Sequence, residues 1–215
     1  MSLPDPDARA ADPAQDPNPA QDPVPPQESA DPAADTLDRV PAAPVAAVLA
    51  LGANLGDPAA TLRAAVRELA GHDGIELTGV SPVAVTAAVG GPAGQPDYLN
   101  LVLAVETTLA PRQLLAACQA VEQSHHRTRE VRWGPRTLDV DVITYAGLAS
   151  ADPELTLPHP RAHERAFVLA PWSWLDPQAT LGGVRVAELA AQAEDAGTVR
   201  RLSGSPEHGT GAPTS

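Results

Sequence analysis

The chain has 215 residues, 43% hydrophobic but only 3% aromatic, so we expect one packed domain whose core is built from Ala, Val and Leu. The net charge of −13 argues against a nucleic-acid partner, and no apolar run is long enough to cross a membrane. All fourteen basic residues are Arg, which excludes a P-loop lysine and Schiff-base chemistry. The single cysteine, Cys118, excludes an internal disulfide, and no signal-peptide pattern follows Met1, so a cytoplasmic protein is expected.

Residues 1–44 differ in composition from the rest of the chain. They hold eleven of the 24 prolines and many acidic residues, but few large apolar side chains. Such a segment buries too little surface to offset its ordering entropy, so we expect a disordered tail. The Gly-, Ser- and Pro-rich residues 202–215 are expected to be disordered as well. The folded domain is therefore predicted to span residues 45–201.

The domain begins with a predicted buried strand, Val45–Leu51, followed by a turn through Asp57. Asp57 suits the N-cap and Pro58 the first position of a helix, whose apolar positions are Leu62, Val66 and Leu69. The later predicted elements are a strand over 75–86, a loop over 87–97, a strand over 98–106, a helix from Pro111, a loop over 126–136, a strand over 137–145 and a helix over about 161–170. This order predicts an α+β, ferredoxin-like sandwich, with helices packed on one face of a mainly antiparallel sheet.

The most informative stretch is RWGPRTLDVDVI at 132–143. Because side chains on a strand alternate between faces, Asp139 and Asp141 project the same way, about 7 Å apart. Paired carboxylates suit a hard cation such as Mg²⁺, although a solvated edge strand would show the same pattern. On the other face lie the predicted core residues Leu138, Val140 and Val142. Six of the fourteen arginines, which bind phosphates well, occupy the same part of the chain: Arg127, Arg129, Arg132, Arg136, Arg161 and Arg165.

Two further pairs of polar residues have open interpretations. Tyr98 and Asn100 share one strand face and suit a flat polar heterocycle, but spacing alone favours an ordinary exposed strand face. Gln119 and Glu122 lie three residues apart on the second helix, which fits a nucleotide contact and a solvated helix face equally well.

His159 lies just before a predicted helix N-terminus, close to Arg161 and Arg165. A helix N-terminus with His and Arg donors favours binding of a phosphate. A zinc site shared with His163 is the weaker interpretation, because no third ligand is evident.

Four segments together resemble 6-hydroxymethyl-7,8-dihydropterin pyrophosphokinases, which transfer a diphosphate from ATP to a pterin alcohol in folate biosynthesis. They are LGANLGD (51–57), QPDYLN (95–100), RWGPRTLDVDV (132–142) and LPHPRAHERAFVL (157–169). The resemblance covers roughly residues 45–180. It implies that Asp139 and Asp141 hold two Mg²⁺ ions that bridge the phosphates of ATP. It also implies that the partners are these small molecules, with neither nucleic acid nor membrane, and we expect a monomer.

The resemblance implies roles for other residues too. The catalytic set would add Arg127 and Arg136 to the two aspartates. The pterin would be bound by Thr86, Tyr98, Asn100, Trp133 and Phe167. ATP would be bound by Gln119, Glu122, Arg129, Arg136, His159 and Arg165.

The chain departs from the family pattern at a few positions. Ala87 and Ala88 stand where the family usually has prolines, and Pro160 stands where it often has an aromatic residue. The loops at 87–97 and 126–136 are candidate lids. Two other functions remain open at this point: a different D-x-D transferase that uses Mg²⁺, and a ferredoxin-like binding module without turnover. Release of AMP, rather than ADP or free pyrophosphate, would exclude a different transferase. Any turnover would exclude a binding module.

Overall fold

The structure is a computed structural model that describes residues 36–87, 96–125 and 137–203. Its longer strands are β1 (Val45–Ala53), β2 (Ile75–Val80), β3 (Ala84–Thr86), β4 (Tyr98–Thr107) and β5 (Asp139–Tyr145). Five two-residue strands follow: β6 (Ser150–Ala151), β7 (Thr156–Leu157), β8 (Thr180–Leu181), β9 (Val184–Arg185) and β10 (Arg200–Arg201). The α-helices are α1 (Pro58–Ala70), α2 (Pro111–Ser124), α3 (Ala166–Leu175) and α4 (Val186–Gln192). Short 3₁₀ turns lie at Ala162–Glu164 and Ala196–Thr198.

A six-stranded sheet forms the centre of the fold, with strand order β10-β3-β4-β1-β5. The sixth strand, β2, pairs with the second half of β4, while β3 pairs with its first half. All of these pairings are antiparallel. The predicted α+β class with a mainly antiparallel sheet is therefore confirmed.

The first helix begins where the sequence predicted. The Oδ1 atom of Asp57 accepts a hydrogen bond from the backbone N–H of Ala60 at 2.9 Å, and Pro58 occupies the first turn. Gly71 ends the helix by donating to the carbonyls of Arg67 and Glu68. The second helix begins at Pro111 as predicted, and Leu114, Cys118 and Val121 are buried.

The expectation that all helices pack on one face is wrong. Helices α1 and α2 cover the face that carries Leu49, Leu101 and Leu103, whereas α3 covers the opposite face through Val168, Leu169 and Trp172. The reason lies in the strands, because the opposite face is also apolar over part of its length, at Val102 and Ile143. A sheet that is apolar on both faces must be covered on both of them.

Two other predictions need correction. The strand predicted over 75–86 is interrupted, because Pro82 cannot donate to a ladder and Ser81 instead bonds to Val102 through both its backbone and its hydroxyl. The helix predicted over 161–170 is a 3₁₀ turn followed by α3, which runs on to Leu175. Arg165, with φ −113° and ψ 101°, has an extended backbone and separates the two.

The ends of the folded region differ slightly from the predicted boundaries. Leu37 is fully buried in the core, so packing begins before residue 45. The Arg112 guanidinium helps to fix this segment, since it lies 3.6 Å from Asp38 and also pairs with Asp152 and Glu154. The predicted disordered tails otherwise fall outside the described residues, and they stay predictions.

Helices that could cross a membrane are absent from the described part of the chain, where none is both long and apolar enough.

The core should respond to truncation in the way its burial predicts. Val105 is 1% exposed and Val40 is 57% exposed, so the same substitution can be compared at both positions. We expect Val105→Ala to lower the free energy of unfolding by about 2 kcal/mol, because it removes two buried methyl groups and leaves a cavity. Val40→Ala should change it by less than about 0.5 kcal/mol. Urea titrations of both variants check this, and equal losses would contradict the assigned core.

Candidate active site

The paired aspartates and the predicted pterin residues lie on the same face of the sheet. The strand register places Gly52 of β1 between Asp139 of β5 and Asn100 of β4. Neighbouring strands are separated by about 4.8 Å, so Asp139 and Asn100 stand roughly 10 Å apart across the glycine. Further along this face, α3 covers Ile143 and also Val102, which stands across Ala50 from Asp141. The polar end of the face thus opens into a cavity, and the apolar end carries the helix.

Gly52 leaves room for the Asn100 side chain between these two polar positions. A Cβ atom placed on Gly52 would lie 2.8 Å from the side-chain oxygen of Asn100, which is closer than such contacts allow. The sequence predicts a turn at Gly52, but β1 continues to Ala53, so the glycine is a strand residue. Its small size, rather than its backbone freedom, is what the site requires.

The amide of Asn100 is oriented by Thr86. Both side chains are buried, and the Asn100 Nδ2 atom donates to the Thr86 Oγ1 atom at 3.0 Å. Since the amide nitrogen is directed to the neighbouring strand, the amide group is held in one orientation. Tyr98, two residues earlier on the same face, also lines the cavity. Burial of Asn100 argues against the ordinary exposed strand face that spacing alone favoured.

Asp141 is flanked by two basic side chains from the segment that follows β5. Its Oδ2 atom lies 3.9 Å from Nη1 of Arg165 and 4.0 Å from Nε2 of His159. The Arg165 guanidinium also lies over the ring of Phe167, 5.4 Å from its centroid, a cation–π distance. The negative charge of Asp141 is therefore balanced by Arg165. A carboxylate on a solvated edge strand would need no such partner, so the pair argues against that interpretation.

His159 is held against β5 by its backbone and oriented by its ring. Its N–H donates to the Ile143 carbonyl at 2.8 Å, and its Nδ1 atom accepts from the Arg161 backbone N–H at 3.2 Å. With Nδ1 as acceptor, the Nε2 atom carries the ring proton and faces Asp141. Burial lowers the pKa of His159 below its ordinary value, and the opposing field of Asp141 only partly offsets this effect. The ring is thus a neutral donor near neutral pH.

Glu122 holds the aspartate-bearing strand in place. Because β5 is the last strand of the sheet in the described part of the chain, its outer N–H groups have no strand partner there. The Oε1 atom of Glu122 accepts from the backbone N–H of Val140, at 2.8 Å, between the two aspartates. Glu122 is only 4% exposed, so the solvated-face interpretation does not apply to it. Nearby, burial raises the pKa of the Cys118 thiol to about 12, with Glu122 and Asp141 adding to the shift, which leaves this thiol protonated and unreactive.

The site is a cavity of about 680 Å³, a size typical of small-molecule sites. Sequence-predicted residues that line it are Thr86, Tyr98, Asn100, Asp139, Asp141, Arg165 and Phe167. His159 lies beside it through Asp141, and Gln119 is exposed on α2, one turn before Glu122. Arg127, Arg129, Trp133 and Arg136 lie outside the described residues.

The resemblance gave no role to several residues that line the cavity. They include Gly52, Arg161, His163, Glu164 and a group from α4 onward, Leu189, Gln192, Ala193, Glu194 and Asp195. Arg161 was expected among the phosphate donors beside His159, and His163 only as a zinc ligand, but the sequence does not show where either side chain points. The later group carries no local pattern, because only the return of the chain to the cavity brings it there.

The carboxylate pair is suited to a magnesium ion whose other ligands are oxygens of a substrate and of water. Within residues 36–87, 96–125 and 137–203, no three His, Cys, Asp or Glu side chains converge as metal ligands. Zinc coordination by His159 and His163 is therefore without support among these residues. Mg²⁺ is commonly held by one or two carboxylates with phosphate and water oxygens, which matches two aspartates that line an open cavity.

The cavity has the polar and charged lining of a small-molecule site, with paired carboxylates on one side and Tyr98 and Asn100 on the other. Comparison with known proteins agrees. The model of the family 7,8-dihydro-6-hydroxymethylpterin-pyrophosphokinase (HPPK) matches residues 48–177. The 2-amino-4-hydroxy-6-hydroxymethyldihydropteridine pyrophosphokinase of Methylorubrum extorquens is 41% identical over 72% of this chain and 97% of its own length. That of Pseudomonas aeruginosa is 40% identical over 73% of this chain and 96% of its own length.

Solved structures show the same fold. An HPPK-DHPS triple mutant of Plasmodium falciparum, crystallised with pteroate, has a TM-score of 0.57 at 12% identity. The match covers 74% of this chain but only 47% of that one, so the chain spans about half the length of this relative. The chain belongs to the HPPK family, a family of pyrophosphokinases of folate biosynthesis with ATP as co-substrate.

The spacing around Gly52 can be tested directly. In Gly52→Ala the new methyl group would displace the Asn100 amide, and we expect roughly tenfold weaker pterin binding, in line with an overpacking cost of about 1–3 kcal/mol. Gly197→Ala is the control, because its Cβ meets no atom within 4 Å. Calorimetric titration with the pterin measures both variants. Unchanged pterin affinity in Gly52→Ala would show that the Asn100 amide is not in contact with the ligand.

The support of β5 by Glu122 makes a second prediction. Glu122→Ala leaves the Val140 N–H without its acceptor and should lower the free energy of unfolding by about 1–3 kcal/mol. Glu122→Gln keeps an acceptor oxygen and should lose much less. Gln123→Ala, exposed on the same helix, is the control. If Glu122→Gln is destabilised as strongly as Glu122→Ala, the negative charge rather than this hydrogen bond supports the strand.

Proposed function

We propose that this chain transfers a diphosphate from ATP to 6-hydroxymethyl-7,8-dihydropterin in the cavity described above, giving AMP and the pterin diphosphate. The observation that carries the proposal is the shared sheet face on which Asp139 and Asp141 stand beside Asn100 and Tyr98. A site for a metal–phosphate group and a site for a flat heterocycle are thus open to the same cavity. Family membership supports the reaction type.

The pterin is assigned to the side of the cavity formed by β3 and β4. Tyr98 of β4 and Phe167 of α3 both line the cavity, and we propose that the ring lies between them. The oriented amide of Asn100 then reads the polar edge of the ring, together with backbone near Thr86. Trp133, outside the described residues, is proposed to close over this substrate.

ATP is assigned to the side formed by β5 and the residues after it. Arg165 and His159 present donors beside Asp141, and an Arg fork suits a phosphate. Gln119 and Glu122 are proposed as further contacts of the nucleotide, although Glu122 already uses one oxygen to hold Val140. Arg127, Arg129 and Arg136 are proposed to complete this side. They lie in a stretch that is not among the described residues.

Asp139 and Asp141 are proposed to hold two Mg²⁺ ions. Bound Mg²⁺ would supply neutralisation of the phosphate charge, which otherwise repels an attacking oxygen. The contribution of the protein is to place the pterin hydroxyl in line with the β-phosphorus and to keep water away. In the transfer, the hydroxyl oxygen bonds to that phosphorus as the bond to the α-phosphate oxygen breaks and AMP leaves. We propose that Asp141 orients the hydroxyl or accepts its proton.

The location, the oligomeric state and the domain limits complete the proposal. We propose that it acts in the cytoplasm, where ATP and a reduced, buried Cys118 are both expected. We also propose that it acts as a monomer, and that residues 1–44, apart from the segment around the buried Leu37, and residues 202–215 are tails outside the catalytic domain.

The reaction is tested by incubating the protein with ATP, Mg²⁺ and 6-hydroxymethyl-7,8-dihydropterin and measuring AMP. AMP should appear in proportion to the pterin diphosphate, and omission of the pterin should abolish it. Release of ADP or free pyrophosphate would indicate a different transferase. Binding of both ligands without AMP would indicate a regulatory module.

The carboxylates are tested by isosteric substitution. Asp139→Asn and Asp141→Asn should each fold normally but lose transfer roughly 10²–10³-fold, because the charge that binds the metal is removed while the shape is kept. Glu106→Gln, an exposed carboxylate near the other end of β4, is the control and should keep full activity. Initial rates of AMP formation at saturating Mg²⁺ provide the measurement. Near wild-type rates in either aspartate variant would remove that residue from the metal site.

A further inference from the structure

The cavity wall continues beyond the part of the chain that the family model matches. The match ends at residue 177, yet the residues that line the cavity include Gln192, Glu194 and Asp195. Of these, Asp195 makes a defined contact with the part of the site that faces Asp141. We call residues 193–202 the C-terminal segment. Through Asp195 it contacts the backbone beside Arg165, the residue that faces Asp141.

That contact is made at the beginning of α3. The first N–H groups of a helix need acceptors, which the N-cap side chain usually provides. Here the N-cap is Arg165, whose guanidinium has only donors and makes no capping hydrogen bond. The Oδ1 atom of Asp195 supplies the missing acceptor and receives the N–H of Ala166 at 2.8 Å. A residue 29 positions later in the chain thus caps the helix.

The capped N–H lies between two proposed ligand contacts. Ala166 is preceded by Arg165, whose Nη1 atom is 3.9 Å from Asp141, and is followed by Phe167. A hydrogen bond at Ala166 therefore fixes the backbone from which both side chains extend. Arg165 itself has an extended backbone, and its carbonyl accepts from the N–H groups of Val168 and Leu169 at 3.0 Å. The bond from Ala166 to Asp195 adds a tether on the side of this junction that those helix bonds leave without an acceptor.

Asp195 is in turn fixed on both sides. The Ala193 N–H donates to the Leu189 carbonyl at 3.0 Å, and the carbonyl of Asp195 accepts from both the backbone and the hydroxyl of Thr198, at 2.9 and 2.8 Å. The segment then pairs as β10 with β3, the strand that carries Thr86. It is thus attached to the pterin side of the cavity by a strand and to the nucleotide side by the Asp195 carboxylate.

We propose that Asp195 is a positioning residue for the diphosphoryl transfer: through the N–H of Ala166 it holds Arg165 in the place where it binds the nucleotide phosphates beside Asp141. This inference rests on the proposed function, because that function assigns Arg165 to the nucleotide. Asp195 itself need not touch the substrates. A helix cap with only a structural role would stabilise the fold without acting through Arg165.

A double-mutant cycle separates these two roles. The four proteins are the wild type, Asp195→Ala, Arg165→Ala and the double variant, each as the full chain. The measured quantity is the dissociation constant for α,β-methylene-ATP with Mg²⁺, which cannot be cleaved at the bond the enzyme breaks. We expect Asp195→Ala to weaken binding about five- to tenfold in the wild type and less than about twofold once Arg165 is absent. Equal weakening in both backgrounds would overturn the proposal.

Two further variants complete the test. Asp195→Asn keeps an acceptor oxygen and should bind the analogue like the wild type; a loss as large as that of Asp195→Ala would overturn the role of this hydrogen bond. Asp176→Ala is the matched control, because Asp176 accepts from the Gln178 N–H at 2.8 Å at the other end of α3, so its affinity should be unchanged. If Asp195→Ala fails to fold, Asp195→Glu takes its place in the cycle, since it keeps the charge but moves the carboxylate.

Failure of this inference can be told apart from failure of the proposed function. The cycle measures binding and does not depend on turnover. If the effects of the two substitutions on binding simply add, and the protein forms AMP, only the positioning role is wrong. If the effects are coupled, and the protein forms no AMP, the positioning role is supported and the proposed reaction is wrong.

Discussion

The repulsion between two carboxylates on one strand face is the constraint on which this site depends. At about 7 Å and an effective dielectric constant near 20, Asp139 and Asp141 repel each other by roughly 2 kcal/mol. Arg165 lies 3.9 Å from the Oδ2 atom of Asp141, and attraction at that shorter distance outweighs the repulsion. Glu122 adds a third negative group nearby but uses an oxygen to hold the Val140 N–H. The strand is thus kept in a position that a bound cation would stabilise further.

The same sheet face serves two purposes along its length. Helix α3 covers this face where β4 carries Val102 and β5 carries Ile143, and there the face belongs to the core. Where β1, β4 and β5 carry Gly52, Asn100 and Asp139, no side chain fills the middle position and the face becomes the floor of the cavity. The position of α3 therefore decides both where the core ends and where Arg165 and Phe167 enter the site.

Much of the fold could be predicted because its signals are local. The cap at Asp57, the proline at the start of α2 and the alternation around Asp139 depend on neighbours in the sequence, and the structure confirms each. The interruption after Val80 was missed because the apolar pattern continues through Ser81, whose hydrogen bonds reach a distant strand. The second helical layer was missed for a similar reason, since an apolar strand face does not reveal which helix will cover it.

The residues of the candidate site also fall into those with a local signal in the sequence and those without one. Aspartates, Tyr98 and Asn100 could be proposed from spacing and from a resemblance, and the structure brings their side chains to one cavity. Gly52 and Asp195 could not, because the first matters through an absent side chain and the second through a contact 29 residues away. The family match ends at residue 177, but Asp195 and β10 connect the two sides of the cavity, and Leu37 is buried in the core. The unit that must fold to form the site is therefore longer at both ends than the part that the family model matches.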